Sequence, residues 1–244
     1  MIGNVIVGQS GGPTSVINAS LVGVYKTALD MGADKIYGMI NGMYGFLDEK
    51  YVNLKDCIQN DLEIELLKRT PSSYLGSCRF KLPDYNIDEE PYIKAFNLLK
   101  KLDIKYFFYI GGNDSMDTLS KMGAYGRKIG SDIRFVGVPK TIDNDLEGTD
   151  HTPGFGSAAK YIGSVMKEVI RDNKVYGSDL IAIVEIMGRN AGWLTAASAL
   201  SKAEDCEGPE MILLPEITFD PEKFLNETVQ RHKEKKAFVI AVSE

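Results

Sequence analysis

Short apolar segments of strand length alternate along this chain with longer segments of helical period. Residues 4–8 form a compact apolar run, whereas residues 15–29 carry Val16, Ala19 and Val22 at helical spacing. The predicted strands are residues 4–8, 34–40, 106–110, 134–138, 180–186, 211–214 and 238–242. The predicted helices are residues 15–29, 91–102, 115–127, 155–170, 191–202 and 221–235. Strands separated by helices of this length predict an α/β fold with a mainly parallel sheet and flanking helices.

A polar, glycine-rich segment at residues 148–156 predicts a boundary between two lobes. We therefore expect an N-terminal lobe of residues 1–147 and a second lobe of residues 148–244. The sequence stops directly after the predicted strand at residues 238–242. Because ligands of open parallel sheets bind beyond the carboxyl ends of the strands, we expect further chain to follow and the second lobe to be incomplete at its C-terminus.

Composition narrows the class of protein. The 244 residues are 44% hydrophobic and 25% charged, which is the balance of a globular protein with a substantial core. Lys and Arg number 28 against 34 Asp and Glu, and the net charge of −6 argues against electrostatic binding to nucleic acid. No apolar run approaches the roughly 18 residues of a membrane span. We therefore expect a cytoplasmic enzyme that binds neither membranes nor nucleic acid.

A glycine-rich segment, GQSGGPTSVIN at residues 8–18, joins the first predicted strand to the first predicted helix. Glycines let the backbone approach a ligand, and a helix N-terminus offers free N–H groups and partial positive charge, which suits a phosphate. A tight turn with a Ser or Thr helix cap is the structural alternative. The segment also matches the G-x-S-x-G nucleophile elbow of hydrolases, which needs a downstream histidine. The chain has only His151 and His232, and His232 lies in a charged helical surface, so phosphate binding is favoured.

A second glycine-rich segment, GGNDSMD at residues 111–117, directly follows the predicted strand at residues 106–110. Asn113 and Asp114 supply side-chain oxygens beside two glycines. Mg²⁺ takes one or two such groups together with phosphate oxygens and water, so this segment is a candidate metal–phosphate site. An Asn or Asp cap on the following helix is the alternative, and the two roles are compatible.

A charged segment, PKTIDNDLEGTD at residues 139–150, follows the predicted strand at residues 134–138. It brings Lys140, Asp143 and Asp145 into one turn. One carboxylate can accept a hydroxyl proton while the other orients it or shifts its pKa by like-charge proximity. The lysine can neutralise the oxygens of a transferring phosphoryl group. An ordinary acidic loop held by Asx-turns is the alternative.

A fourth segment, EIMGRNAGW at residues 185–193, places Gly188 and Arg189 where a strand turns into a helix. A guanidinium there can bind a phosphate or a sugar in fixed geometry. The alternative is an arginine in solvent and Trp193 in the core. All four segments follow predicted strands, so we expect one parallel sheet to bring them to a single edge. Glycine turns, a metal site, paired carboxylates and cations together indicate phosphoryl transfer to a hydroxyl group.

The order and spacing of these segments resemble the 6-phosphofructokinase family over essentially the whole chain. The matching segments are SGGP at residues 10–13, YLGSCRF at 74–80, GGNDS at 111–115, PKTIDND at 139–145, MGRNAG at 187–192, PE at 215–216 and AVSE at 241–244. The resemblance implies the phosphofructokinase fold, with two lobes of Rossmann-like sheets. It also implies phosphoryl transfer to the 1-hydroxyl of fructose 6-phosphate, with the donor and Mg²⁺ bound by the lobe of residues 1–147 and the fructose 6-phosphate by the lobe of residues 148–244.

The resemblance further implies a role for each matching residue. Asp143 is expected to be the general base that takes the proton of the sugar hydroxyl. The other residues expected to take part in catalysis are Lys140, Asp114, Thr141 and Asp145. Gly11, Gly12 and Arg79 are expected to bind the donor, and Asn113 and Asp114 to hold Mg²⁺. The residues expected to contact the sugar phosphate are Thr141, Ile142, Asp143, Met187, Gly188, Arg189 and Glu244.

Two residues indicate the donor. ATP-using members of the family usually carry glycine at the positions of Asp114 and Lys140. An acidic side chain would add negative charge where the α-phosphate of ATP would lie, and a lysine would add a cation for the transferring or leaving phosphate. Both differences are similar to those of the pyrophosphate-dependent branch, although that branch more often has Asp at the position of Asn113.

The sequence therefore predicts a reversible, Mg²⁺-dependent glycolytic phosphotransferase that uses pyrophosphate and fructose 6-phosphate. One alternative is an ATP-dependent 6-phosphofructokinase. Another is a non-catalytic phosphate-binding or assembly fragment, because the absent part of the family's chain would leave the substrate site incomplete. The resemblance also implies a homo-oligomer.

Overall fold

A computed structural model describes residues 3–175 and 177–244. The chain divides into two compact units, Met1–Lys140 and Thr141–Glu244. The sequence-based boundary lay at residues 147 and 148. The structure assigns the intervening residues to the second unit because Thr141 pairs with Gly154 in a parallel bridge. Assignment of donor and acceptor roles to the two lobes stays a prediction.

The first unit is built on a five-stranded sheet with the order β3-β2-β1-β4-β5. Its strands are β1 (Asn4–Gln9), β2 (Ile36–Met39), β3 (Tyr51–Asn53), β4 (Ile104–Gly111) and β5 (Arg134–Pro139). All neighbouring pairs are parallel except β2 and β3, which are antiparallel. The register pairs Gln9 with Ile110 and Gly111 with Pro139, so β1, β4 and β5 end side by side.

The helices of the first unit cover both faces of this sheet. They are α1 (Ile17–Asp30), α2 (Gly42–Leu47), α3 (Leu54–Cys57), α4 (Asp61–Arg69), α5 (Glu90–Lys101) and α6 (Asn113–Lys128). Successive side chains of a strand point to opposite faces, and in β1 Ile6 joins one apolar cluster while Val5 and Val7 join the other. Burial on both faces explains why β1 is a continuous apolar run in the sequence.

The second unit contains a parallel three-stranded sheet with the order β6-β8-β7. Its strands are β6 (Leu180–Ile186), β7 (Met211–Leu213) and β8 (Ala237–Ser243). Its helices are α7 (Phe155–Val175), α8 (Trp193–Ala196), a 3₁₀-helix (Ala197–Ser201) and α9 (Pro221–Glu234). In α9, Pro221 begins the first turn and the Asp220 carboxylate accepts a hydrogen bond from the backbone N–H of Lys223, which fixes the start of the helix. Strand β6 lies at one edge of the sheet and exposes Ile183.

The predicted α/β fold class with mainly parallel sheets and flanking helices is confirmed. The expectation of one sheet is wrong, because β6, β7 and β8 form a sheet of their own. Residues 191–202 form a short α-helix followed by a 3₁₀-helix rather than one continuous helix. Elements α2, β3, α3 and α4 were not predicted. None of the helices in the described residues is long and apolar enough to cross a membrane.

Candidate functional site

The glycine turn after β1 is held by the segment that precedes α5. Gly11 has a φ of +78°, a conformation that L side chains rarely adopt. Its N–H donates to the Cys78 carbonyl at 3.1 Å, and its carbonyl accepts a hydrogen bond from the Ser77 hydroxyl at 2.5 Å. A Cβ added to Gly12 would meet no atom within 4 Å among the described residues. The turn is therefore anchored at Gly11 and open to a ligand at Gly12.

Helix α1 begins several residues after this turn. Its N-cap is Val16, which makes no side-chain capping hydrogen bond. The alternative of a Ser- or Thr-capped turn is therefore wrong for this helix, although the Thr14 hydroxyl accepts a long hydrogen bond of 3.4 Å from the Val16 N–H. The candidate anion site is thus formed by the glycine backbone alone, because the helix begins farther along the chain.

A buried polar network lies beneath the glycine turn. The Gln9 side chain, fully buried, donates to the Asn18 side-chain oxygen at 2.9 Å. The Gln9 oxygen accepts from the Ser73 hydroxyl at 3.1 Å and from the Leu75 N–H at 2.9 Å. The Asn18 oxygen also accepts from the Tyr74 N–H at 2.9 Å. These bonds tie the glycine turn to the segment that leads to Arg79, and sequence reasoning missed them because the partners are far apart in the chain.

Lys140 directly follows β5 and is 5% exposed. Its N–H donates to the Gly111 carbonyl at 2.9 Å, and its side-chain nitrogen donates to the Gly12 carbonyl at 2.5 Å. A charged amino group is costly to bury unless polar groups surround it, and the Gly12 carbonyl helps to meet that need. The structure therefore places a cation against the turn that sequence reasoning selected for phosphate.

Asn113 and Asp114 lie in the first turn of α6. The N-cap of this helix is Gly112, which has no side-chain capping bond, so the Asn or Asp cap is wrong. The Asp114 carboxylate instead forms an exposed ion pair with Lys81 at 3.5 Å. A carboxylate is stabilised at a helix N-terminus by the helix dipole. A Cβ at Gly111 would lie 2.1 Å from the Ser115 hydroxyl oxygen, so this turn requires glycine.

Arg79 is exposed, and its neighbour Cys78 is half-buried. The Cys78 sulfur lies 3.6 Å from the Tyr109 hydroxyl and 3.9 Å from the Ser10 hydroxyl. Burial alone would raise the pKa of this thiol, but hydrogen bonds from the Tyr44 backbone, the Tyr109 hydroxyl and other donors hold the pKa below its ordinary value. Polar groups thus surround the residue whose carbonyl anchors the glycine turn.

In the second unit, the candidate base Asp143 lies in an ordered loop. Its N–H donates to the Thr141 hydroxyl at 3.0 Å. Ile142 packs against the apolar cluster that includes Met166, whereas Asp145 is exposed. The side chain of Asn144, absent from the predicted site, is buried and bonded within the same loop.

The residues after β6 form a tight turn. Gly188 has a φ of +124°, and a Cβ there would lie 2.5 Å from the Ala191 carbonyl oxygen, so only glycine fits. Met187 and Arg189 on either side are exposed. The Glu216 carboxylate accepts a hydrogen bond of 2.7 Å from the Gly192 N–H. Glu216 belongs to the matching segment PE at residues 215–216, and its hydrogen bond to Gly192 fixes the end of the turn.

Glu244 follows β8 and is exposed, and its N–H donates to the Ile186 carbonyl at 2.9 Å. Since Ile186 pairs with Ser243, the ends of β6 and β8 are neighbours. Met187 and Ile142 also line one apolar cavity of about 260 Å³. Met187 and Glu244, expected to contact the sugar phosphate, therefore follow adjacent strands of the second unit. Trp193, which the alternative placed in the core, is 56% exposed.

The predicted residues thus fall into two groups, one in each unit. Gly11, Gly12 and Lys140, with the turn that begins at Gly111, share the carboxyl edge formed by β1, β4 and β5. The expectation that all four segments share one edge is wrong, because the segment after β6 belongs to the second sheet. Within residues 3–175 and 177–244, no three His, Cys, Asp or Glu side chains are grouped to hold a metal ion.

These features define an α/β protein with a glycine turn and a buried lysine at the carboxyl edge of a mainly parallel sheet, where such proteins bind their ligands. The phosphofructokinase family model matches residues 4–244. The chain belongs to the phosphofructokinase family.

Several named proteins are similar to this chain over nearly its whole length. The pyrophosphate–fructose 6-phosphate 1-phosphotransferase of Rhodospirillum rubrum is 42% identical over 99% of this chain, which spans 58% of that relative. The enzyme of the same name from Methylococcus capsulatus is 43% identical over 94% of this chain and 56% of its own length. The solved pyrophosphate-dependent phosphofructokinase of Nitrosospira multiformis superposes with a TM-score of 0.86 at 38% identity, covering 100% of this chain and 61% of that chain. The chain thus spans little more than half the length of these relatives.

Proposed function

We propose that the protein carrying this chain transfers a phosphoryl group from pyrophosphate to the 1-hydroxyl of fructose 6-phosphate, forming fructose 1,6-bisphosphate in a reversible glycolytic reaction. The observation that carries the donor assignment is Lys140, buried after β5 with its amino group bonded to the Gly12 carbonyl. The relatives named above act on the same pair of substrates according to their names.

The donor would bind at the edge of the first unit. The open backbone at Gly12 would approach one phosphate, and the cation of Lys140 would neutralise charge that develops on the transferring group. Preorganised charges of this kind cost no reorganisation during the reaction, and electrostatic stabilisation is usually the largest catalytic term. The exposed guanidinium of Arg79 would bind a second set of phosphate oxygens. Inorganic pyrophosphate fits a site built from backbone and cations, since it has no base or ribose to recognise.

The acceptor would meet Asp143, which would take the proton from its 1-hydroxyl as the oxygen attacks phosphorus. Thr141 and Asp145 would support that base. The residues proposed to bind the sugar phosphate are Ile142, Met187, Gly188, Arg189 and Glu244. In this proposal the first unit, Met1–Lys140, serves the donor and the second unit, Thr141–Glu244, serves the acceptor, so the boundary between the two roles moves from residue 147 to residue 140.

Phosphotransferases of this family generally use Mg²⁺. Asn113 and Asp114 are the proposed ligands because both supply side-chain oxygens and the Asp114 carboxylate is exposed. Mg²⁺ commonly takes one or two carboxylates and completes its shell with substrate phosphates and water. Bound with pyrophosphate, it would neutralise charge on the phosphate oxygens. Cytoplasmic location and homo-oligomeric assembly also stay predictions.

The test uses the full natural protein that carries this chain. Fructose 1,6-bisphosphate formation is measured with Mg²⁺ and either pyrophosphate or ATP as donor, and we expect turnover with pyrophosphate. Strong turnover with ATP and none with pyrophosphate would reject the donor assignment in favour of an ATP-dependent 6-phosphofructokinase. Calorimetric binding of pyrophosphate without any turnover would indicate a non-catalytic phosphate-binding protein.

Two variants test the assigned residues. Asp143→Asn should lower kcat by about 10² to 10⁴-fold, the range of general-base catalysis, while pyrophosphate still binds. Lys140→Met should lower kcat with pyrophosphate by about 10² to 10³-fold, as loss of one preorganised charge does. Unchanged turnover in the first variant would remove Asp143 as the base.

A further inference from the structure

The loop that carries Asp143 closes on itself at Thr152. The Thr152 hydroxyl donates to the Thr141 carbonyl at 2.7 Å, and the Thr152 N–H donates to the Asn144 side-chain oxygen at 2.9 Å. These two hydrogen bonds hold Thr141, two residues before Asp143, and Asn144, one residue after it. Thr152 is 3% exposed, so water competes little for either bond.

Asn144 completes this closure. It has a φ of +59°, in the left-handed region that Asn enters more readily than most residues. Its side chain is buried and also donates to the Asp150 carbonyl at 3.1 Å. The amide of Asn144 therefore bridges the two arms of the loop, and both of its polar atoms are used.

Thr152 also connects the loop to the longest helix of the second unit. The Phe155 N–H donates to the Thr152 carbonyl at 3.1 Å, and Phe155 begins α7. Gly154, between them, pairs with Thr141 in the parallel bridge. Thr152 thus connects the first residue of α7 to the backbone on both sides of Asp143.

We propose that Thr152 is a positioning residue for phosphoryl transfer: it acts through Thr141 and Asn144 to hold the Asp143 carboxylate in the orientation that accepts a proton. This inference rests on the proposed function, in which Asp143 is the base. A base must lie within hydrogen-bond reach of the proton it takes, and misplacement by about 1 Å can cost about 10²-fold in rate. Two converging bonds at a buried residue are a means of meeting that tolerance.

The experiment compares four variants of the full natural protein in the pyrophosphate assay. Thr152→Val keeps the shape but removes the hydroxyl, and we expect kcat to fall by about 10 to 10²-fold while the KM for pyrophosphate is unchanged. Thr152→Ser restores the hydroxyl and should recover kcat to within about threefold. Thr149→Val makes the same change at an exposed position of the same loop and should match the wild type. Asn144→Ala removes the acceptor of the Thr152 N–H but leaves the Thr152 hydroxyl in place, and it should also lower kcat. If Thr152→Val does not fold, Asn144→Ala tests the inference instead.

Amide hydrogen exchange gives a second measurement that does not depend on turnover. Thr152→Val should accelerate exchange at Asp143, whose N–H bonds to Thr141, and Thr149→Val should leave it unchanged. Equal kcat in wild type and Thr152→Val, or unchanged exchange at Asp143, would overturn the inference. So would a fall in kcat that Thr152→Ser does not reverse. Absence of transfer by the wild type with any donor would instead refute the proposed function, and the exchange result would still show whether Thr152 orders the loop.

Discussion

The polar network beneath the glycine turn allows a stability prediction that does not depend on activity. Gln9→Met replaces a fully buried amide by an apolar side chain of similar length. The change removes hydrogen bonds to the Asn18 side chain, the Ile17 carbonyl, the Ser73 hydroxyl and the Leu75 N–H. Packing volume is nearly conserved, so the loss of stability should come from polar groups that lose their partner.

The magnitude follows from the contacts that remain. Asn18 keeps the Tyr74 N–H as a donor to its oxygen, and the Ser73 hydroxyl keeps the Gly76 carbonyl as an acceptor at 2.8 Å. The Leu75 N–H, in a residue that is 1% exposed, is left without its side-chain acceptor. An unsatisfied buried donor costs about 1–3 kcal/mol, and each net hydrogen bond is worth about 1 kcal/mol. We therefore expect Gln9→Met to lower the free energy of unfolding by about 3 kcal/mol.

The assay is urea unfolding followed by far-ultraviolet circular dichroism, with linear extrapolation to water. The matched control is Ser73→Ala, which removes one donor to the same oxygen at a half-buried position and should cost about 1 kcal/mol. Increased amide exchange at Leu75 in Gln9→Met would locate the defect. A loss below about 1 kcal/mol, or an equal loss in both variants, would refute the reasoning that the Leu75 N–H dominates.

Two further predictions concern the fold. Gly42 has a φ of +59° and its Cβ would lie 2.8 Å from the Cys78 sulfur, whereas Gly32, at +74°, has open space. In thermal unfolding Gly32→Ala should therefore cost about 1–2 kcal/mol and Gly42→Ala clearly more; equal losses would contradict this. The hydrogen bond from Lys235 lowers the pKa of Glu210, so this carboxylate stabilises the fold above its unfolded pKa of about 4.3. Glu210→Gln should be less stable than the wild type at pH 7, and the difference should shrink as the pH falls below about 4.3; a difference constant down to pH 3 would contradict the assignment.

The sequence predicted the fold where one local pattern determines an element. Strand β1 is recognisable because both of its faces are buried, and α9 because Pro221 marks its first turn. Elements α2, β3 and α3 have six, three and four residues, which is too short for a helical or alternating period to appear. The separation into two sheets depends on strand partners that are distant in sequence, and periodicity does not encode partner choice.

For the candidate site, too, the sequence reveals residues that a local pattern marks but not contacts between distant positions. Lys140 and Asp143 could be selected as candidates because charged residues in a segment after a strand are visible in the sequence. The Lys140–Gly12 contact joins positions 128 residues apart, and the Gln9–Ser73 contact joins positions 64 residues apart. Gln9, a polar residue directly after the predicted strand at residues 4–8, was the available signal of the buried network. The roles of Asn144 and Thr152 were harder to predict from the sequence, since each is an ordinary loop residue type. Their hydrogen bonds within the loop are visible only in the structure.

The edge strand β6 affects the tendency of the molecule to associate. One side of its backbone pairs with β8, and its side chains include Leu180, Ile181 and Ile183, which are 41%, 36% and 59% exposed. An exposed apolar strand at a sheet margin is a template on which another extended segment can add by hydrogen bonding. Concentrated preparations of these 244 residues would thus be prone to association through that margin, and a single lysine in place of Ile183 would be the simplest protection against it.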